Sequence, residues 1–150
     1  MTEMPSAPRP TSAEAYAVAR LLHEASEDSR RSFATIASDH GLTAPQARFI
    51  LRLFEATPMS DLAKHLSCDK SNVTGIAARL TERGLVTTTR GSDRRVKLLG
   101  LTAPGRKVRA RLQQHVADAS PAMTRLTEPE RQTLVLLLDK IRSEIAAVPD

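Results

Sequence analysis

The stretch between residues 59 and 95 constrains the fold of this chain more than any other, because two short helical patterns, a glycine stop and a cationic turn follow one another there. The second helical pattern begins after Asp69 and ends at Gly84, since glycine accepts the left-handed conformation just past a helix end. Its apolar residues share one face, and small or polar residues lie opposite. The apolar face consists of Val73, Ile76, Ala77 and Leu80. This pattern predicts a helix that packs on a core and presents an outer face small enough to enter a DNA groove.

The segment after Gly84 predicts a β-hairpin. Residues 85–89 and 96–101 have strand composition, and the turn between them, residues 90–95, holds three arginines. Residues 59–107 contain ten Lys and Arg against four Asp and Glu, a net charge of +6, so the rest of the chain carries −1 of the total of +5. The order of helix, glycine stop and cationic hairpin predicts a winged helix-turn-helix with a face that binds a polyanion.

In the order and spacing of its motifs, the chain resembles the MarR family of bacterial transcriptional regulators. The matching motifs are Leu-Thr-x-x-Gln at 42–46, Leu-Ala-Lys-His-Leu at 62–66, Arg-Gly-Leu-Val at 83–86, Asp-Arg-Arg at 93–95 and Leu-Thr at 101–102. The resemblance covers nearly the whole chain. It implies a mainly α fold with a small β-hairpin wing, in which a winged helix-turn-helix domain is joined to N- and C-terminal dimerisation helices.

The chain is expected to form one domain. Residues 1–12 contain three prolines without apolar periodicity and are predicted to be a disordered arm. Residues 13–150 are predicted to form a single MarR-like domain, with dimerisation helices at 13–40 and 102–148 and a winged helix-turn-helix DNA-binding lobe at 43–101. A chain of 150 residues can bury a core without disulfides, which agrees with its single cysteine.

Capping signals place the second helix of the chain. The first helix ends before Gly41, and Thr43 with Gln46 forms a capping box for the second, which the segment at 57–58 is expected to end. The buried stripe predicted for this second helix is Phe49, Ile50, Leu53 and Phe54.

The C-terminal region predicts two more helices. One begins at Thr102 and is expected to continue its apolar face as far as Met123, and the last follows a capping box at Thr127 and Glu130. The last helix has more apolar residues than one small core face needs: Leu134, Val135, Leu137, Leu138, Ile141, Ile145 and Val148. This surplus favours packing against a second copy of the chain, as the resemblance also implies, although completion of a monomer core is the alternative.

A twofold dimer would present two copies of the helix after Asp69 to successive major grooves about 34 Å apart, so an inverted repeat is the expected target. Lys70, Ser71 and Asn72 are expected to contact phosphates at the start of this helix. Asn72, Thr74 and Arg79 are the side chains expected to reach base edges.

The wing supplies a second set of expected DNA contacts. Asp93 and Arg95 match the D-x-R element of the family, which implies that the arginine enters the minor groove and that the aspartate holds the cations of the wing in place. Arg90 and Arg94 are expected to contact phosphates. Many family members carry arginine where this chain has Gly75, so one guanine contact of the family is absent here.

The resemblance implies a small effector, often an anionic aromatic molecule, bound between the dimerisation helices and the winged lobe. Tyr16, His23 and Arg48 are the candidate effector-binding residues, although interface or surface roles remain open for them. Cys68 is interpreted as a packing residue, with a redox role as the alternative. The four histidines show no short metal-ligand spacing, so no metal and no cofactor is expected.

The prediction is a homodimeric, sequence-specific DNA-binding regulator, a repressor that a small effector releases. No phosphate loop, nucleophile elbow or metal motif indicates an enzyme. A winged-helix module that binds proteins, and a redox- or metal-responsive regulator, are the alternatives. No apolar run is long enough to cross a bilayer and no signal peptide begins the chain, so a cytoplasmic location is expected.

Overall fold

The structure, a computed structural model, describes residues 10–66, 70–90 and 97–146. Within these residues the chain forms seven helices and a small antiparallel sheet of three strands, so the predicted mainly α fold with a small wing is confirmed. The elements are α1 Ser12–Asp39, α2 Ala44–Arg52, β1 Thr57–Pro58, α3 Met59–Leu66, α4 Lys70–Glu82, β2 Val86–Arg90, β3 Lys97–Leu101, α5 Ala103–Ala119, α6 Pro121–Arg125 and α7 Glu128–Ala146.

Side-chain caps fix the starts of the first two helices. Thr11 accepts a hydrogen bond from the Glu14 backbone N–H and caps α1, which begins at Ser12. The last two residues assigned to the predicted N-terminal arm therefore belong to the start of this helix. Residues 1–9 of that arm lie outside the described residues. Both hydrogen bonds of the predicted capping box between Thr43 and Gln46 are present and begin α2.

Phe54 does not belong to the buried stripe of α2, and this part of the prediction is wrong. The helix ends at Arg52, and Leu53 leaves helical geometry with φ −84° and ψ 82°. Leu53 stays buried, whereas Phe54 points outward with 70% of its surface exposed. The 3.6-residue periodicity stops applying once the helix has ended, which is why extrapolating it by one residue fails.

The sheet has the order β1-β3-β2, with β3 in the centre. The hairpin β2–β3 pairs Val86 with Leu101 at one end and Arg90 with Lys97 at the other. The segment at 57–58 does not end a helix, as the sequence had suggested, but forms β1 and pairs with Leu98 and Leu99. A proline is tolerated in this position because β1 is an edge strand.

The helix after the wing is broken where the sequence predicted continuity. α5 ends at Ala119, Ser120 is extended, and Pro121 begins the separate helix α6. Proline has no backbone N–H and disfavours helical geometry in the residue before it. Met123 therefore lies on α6 and is largely exposed.

At the start of α7, the structure shows the half of the predicted capping box in which the Glu130 side chain returns to Thr127. The Glu130 carboxylate accepts hydrogen bonds from the backbone N–H and the hydroxyl of Thr127, each at 2.8 Å. These two hydrogen bonds hold the pKa of Glu130 below its ordinary value, and the bond from the backbone N–H has the larger effect. This carboxylate consequently stays charged at the helix N-terminus, where negative charge is favourable.

One hydrophobic core lies under the winged helix-turn-helix. Its buried residues are Ile36, Ala37, Leu42, Ala47, Phe49, Ile50, Leu53, Leu62, Val73, Ala77, Leu80, Leu85, Val86, Leu99 and Leu112. Among the described residues, α7 and the N-terminal part of α1 contribute nothing to it. These two helices instead expose large apolar side chains: Tyr16, Val18, Leu21, Leu22, Val135, Leu136, Leu137, Leu138 and Ile141.

Candidate nucleic-acid interface

Helix α4 has the two faces that its sequence predicts. Val73, Ala77 and Leu80 are buried and Ile76 is partly buried against the core. The opposite face is exposed and consists of Ser71, Asn72, Thr74, Gly75, Ala78 and Arg79. The four candidate DNA-contacting side chains that are described on this helix therefore all reach the surface together.

The position of α4 depends on the short helix before it. Leu62 of α3 is fully buried in the shared core. The Thr74 hydroxyl lies 3.3 Å from the Met59 sulfur, which joins the first residue of α3 to the middle of α4. Lys70 is the first residue of α4. Cys68, between the two helices, lies outside the described residues.

The wing continues directly from the end of α4. The Leu85 backbone N–H donates to the Leu80 carbonyl oxygen at 2.9 Å, and the Leu85 carbonyl accepts from the Thr102 N–H at 3.1 Å. The Thr102 hydroxyl also donates to the Gly84 carbonyl at 2.7 Å. These bonds join α4, β2 and the start of α5 into one unit, so the wing is fixed relative to α4.

The wing tip holds the remaining predicted contacts. Arg90 and Lys97 form the last pair of the hairpin. Asp93, Arg94 and Arg95 lie between these two residues in the sequence and outside the described residues. Lys97 is exposed and opposite Arg90, so it is a further candidate that the sequence motifs do not indicate. The hairpin register is the signal that identifies it.

Of the three candidate effector residues, Arg48 lines a crevice between α1 and α2, and Tyr16 and His23 are not among the residues that line it. The Arg48 guanidinium is 6.0 Å from the centroid of the Phe33 ring. The crevice has a volume of about 320 Å³ and is lined by Ser29, Arg30, Phe33, Arg48, Leu51 and Arg52. Tyr16 and His23 are exposed nearer the start of α1, away from this lining.

Two histidines that are distant in sequence meet in the fold. The Nε2 atom of His40, just after α1, is 3.3 Å from Nδ1 of His115 on α5, and the carboxylate of Asp39 lies 4.0 Å from Nε2 of His115. In the part of the chain that the structure describes, no group of three or more His, Cys, Asp or Glu side chains is arranged to hold a metal ion.

No helix among the described residues combines the length and apolar character needed to span a bilayer. The paired helices α3 and α4, followed by the hairpin β2–β3 that extends from the end of α4, define a winged helix-turn-helix of the DNA-binding type.

Comparison with known proteins gives the family. The MarR family model matches residues 42–97. The putative transcriptional regulatory protein for the hcr operon of Thauera aromatica is 32% identical over 125 residues, which cover 79% of this chain and 75% of that protein. The chain therefore belongs to the MarR family, and it is a DNA-binding transcriptional regulator, not an enzyme.

Solved structures agree with this assignment. Wild-type MarR from E. coli, in its apo form, is 29% identical with a TM-score of 0.69, over 82% of this chain and 94% of that one. BpsR from Bordetella bronchiseptica, whose regulation of DNA binding by 6-hydroxynicotinic acid was studied, is 27% identical with a TM-score of 0.69, over 84% of this chain and 98% of that one. The family assignment favours DNA over a protein as the partner of the winged lobe.

Proposed function

We propose that the protein is a homodimeric repressor that binds an inverted-repeat operator and is released by a small anionic aromatic effector. The observation that carries the proposal is the exposed polar face of α4, which lies beside a wing whose sequence is rich in cations. The terminal helices of the same chain expose large apolar side chains. A mutant form of E. coli MarR in complex with operator DNA, 28% identical to this chain with a TM-score of 0.70, supports the DNA-binding part.

The uncovered apolar side chains support a dimer. Contiguous exposed apolar surface on a monomer commonly marks an interface with another protein. Here it is confined to α1, α7 and a few isolated positions among the described residues, and both helices are long. A second copy would bury both helices and would relate the two winged lobes by a twofold axis.

Within such a dimer, each α4 enters a major groove. Lys70 and Ser71 contact phosphates, while Asn72, Thr74 and Arg79 face base edges. At the wing, Arg95 enters the minor groove with Asp93 holding it in place, and Arg90 and Arg94 contact phosphates. The polar, exposed surface of α4 supports the contacts assigned to that helix.

Two substitutions on α4 should separate base recognition from phosphate binding. Asn72→Ala is expected to weaken binding to the operator by about 10- to 100-fold for each half-site with little change on unrelated DNA, because a bidentate base contact contributes about 1–3 kcal/mol of discrimination. Lys70→Ala should weaken binding to both DNAs and reduce the slope of log affinity against log salt by about 1 per protomer. Electrophoretic mobility shift with an operator selected from random duplexes measures both effects.

A distant cation provides the control for this pair. Arg125 on α6 is exposed and lies outside the winged lobe, so Arg125→Ala removes the same charge as Lys70→Ala without a predicted DNA contact. Equal weakening on operator and unrelated DNA by Asn72→Ala would show that Asn72 does not recognise a base.

The crevice beside Arg48 suits an anionic aromatic effector. An aromatic ring can stack near Phe33 while its carboxylate pairs with Arg48, and Arg52 adds positive charge at the same crevice. The regulation of BpsR by 6-hydroxynicotinic acid, an aromatic acid, supports this ligand class. Leu51 would cover the apolar part of such a ligand.

Arg48→Ala is therefore expected to weaken the binding of benzoate or 6-hydroxynicotinate by about 10-fold or more, since hydrogen bonds to charged groups contribute about 1.5–3 kcal/mol. Isothermal titration calorimetry measures this binding, and release of operator DNA measures its consequence. Tyr16→Phe and His23→Ala test the other two candidates in the same assay. Unchanged binding in Arg48→Ala would remove this crevice from consideration.

A further inference from the structure

Helix α2 is the element through which the winged lobe and the terminal helices are connected. It packs against α1 and α5 and also against α3 and α4 of the winged lobe. Phe49 and Ile50 are fully buried between them. The angle between α4 and the terminal helices is consequently set by how α2 is held.

An arginine just past the end of α4 holds the chain at the N-terminal side of α2. Arg83 follows α4 directly, and its Nη1 donates to the Gly41 carbonyl oxygen at 2.9 Å. Gly41 has φ +64°, the left-handed conformation that ends α1 and turns the chain towards α2. This bond joins residues 42 positions apart and ties the end of α4 to the corner between α1 and α2.

A second arginine, from α5, holds the C-terminal side of α2. The Nη1 atom of Arg109 donates to the carbonyl oxygen of Leu53 at 2.6 Å, and the Arg109 guanidinium is 5.4 Å from the centroid of the Phe54 ring. Carbonyl groups at a helix C-terminus have no partner within the helix, so an external donor stabilises that end. The contact also gives the exposed Phe54 ring a defined partner.

We propose that Arg83 and Arg109 are positioning residues that hold α2 at both ends and thereby fix the separation and angle of the two copies of α4 in the dimer. The inference rests on the proposed homodimer that binds an inverted repeat. A rigid dimer rejects an extra base pair between half-sites, because each base pair adds about 3.4 Å and about 34° of rotation on a helix of roughly 10.5 base pairs per turn. Loosening either end of α2 lets each lobe rotate and follow the displaced half-site.

The proposal separates a positioning role from a direct DNA contact. If the Arg83 guanidinium neutralised a phosphate, its loss would reduce the slope of log affinity against log salt by about 0.9 per protomer. The Arg83 guanidinium instead donates to a backbone carbonyl of its own chain. A positioning role leaves the salt slope unchanged and alters the dependence on half-site spacing.

The test measures binding of the full-length protein to its selected operator and to copies with one or two base pairs inserted between the half-sites, at several salt concentrations. The variants are Arg83→Ala, Arg109→Ala and Phe54→Ala, with Arg83→Lys and Arg109→Lys in case an alanine variant does not fold. Arg131→Ala is the matched control, because Arg131 likewise donates to a backbone carbonyl, that of Leu126, but in the C-terminal region away from α2.

The wild type and Arg131→Ala are expected to bind the operator with one inserted base pair about 100-fold more weakly than the operator itself. A loss of affinity of this size is expected when one of two linked half-sites can no longer be bound together with the other. Arg83→Ala and Arg109→Ala should reduce this penalty to about 10-fold or less with an unchanged salt slope, and Phe54→Ala should reduce it in part. Lysine variants should fall between wild type and alanine.

A full spacing penalty in the folded arginine variants would overturn the inference and leave the proposed function intact. A smaller salt slope in Arg83→Ala would also overturn it, in favour of a phosphate contact. If the wild type showed no preference between operator and scrambled DNA, the proposed function itself would fail, and the inference with it.

Discussion

Gly105→Ala is expected to lower the free energy of unfolding by about 3 kcal/mol, at the upper end of what overpacking usually costs. Gly105 lies in the first turn of α5 where that helix crosses the start of the wing. A Cβ atom at this position would lie 2.0 Å from the Leu85 carbonyl oxygen and 3.3 Å from Cδ2 of Leu101. The first of these neighbours is backbone and cannot rotate away.

The loss of stability in Gly105→Ala should exceed that of a local clash, because the Leu85 carbonyl also takes part in the hydrogen bonds at the start of α5. The Leu85 carbonyl oxygen accepts the Thr102 N–H at 3.1 Å, and the Thr102 hydroxyl caps α5 by accepting the Gly105 N–H at 3.1 Å. Moving Leu85 away from an alanine therefore disturbs both the cap of α5 and the joint between wing and helix. Thermal unfolding followed by circular dichroism should show a melting temperature lower by about 6–12 °C.

Gly75→Ala is the matched control for this prediction. Gly75 is also helical, but a Cβ there would meet nothing within 4 Å. Alanine should consequently stabilise the protein by about 1 kcal/mol through helix propensity alone. If both alanine variants raised the melting temperature, the close approach of α5 to Leu85 would be contradicted.

Leu138→Glu combined with Ile141→Glu is expected to convert the proposed dimer into a monomer and to weaken operator binding by about 100-fold or more, since linked binding of two half-sites is lost. Both side chains lie on α7 outside the buried core, with 40% and 39% of their surface exposed. Carboxylates placed in an apolar interface are unfavourable because they would lose their hydration.

The control for the dimer variant is Lys140→Glu, on the same helix. Lys140 is exposed and lies about 200° from Leu138 around the helix. The Lys140→Glu variant therefore introduces a carboxylate on another face of α7. Sedimentation velocity gives the oligomeric state, and circular dichroism checks that the core, to which α7 contributes no described residue, remains folded. A double variant that stays dimeric would place the interface elsewhere.

Local patterns allowed a good part of this structure to be predicted from sequence. The two faces of α4 follow from its helical periodicity, and the capping box of Thr43 and Gln46 from a spacing of three residues, because both signals act within one or two turns. The errors also have local causes. The error at Phe54 comes from continuing a periodicity past the helix end. The error at Met123 comes from continuing one across Pro121, although proline disfavours helical geometry in the residue before it.

The contacts that connect the elements could not be predicted in this way. Arg83 and Gly41 are 42 residues apart, Arg109 and Leu53 are 56 apart, and His40 and His115 are 75 apart. Neither periodicity nor short motifs carry information about such pairs. In the candidate DNA site, the residue types were accessible to sequence analysis, whereas the position of Lys97 opposite Arg90 depended on the hairpin register.

The most direct measurement of the central claim is binding of the purified protein to its own upstream intergenic DNA across a range of salt concentrations, beside Arg95→Ala. Wild-type binding should be sequence-selective, with log affinity falling linearly against log salt, and the variant should lose about 10-fold or more, because an arginine in a narrow minor groove meets concentrated negative potential. Equally weak binding of wild type and variant to every DNA would contradict the account of this protein as a sequence-specific operator-binding regulator.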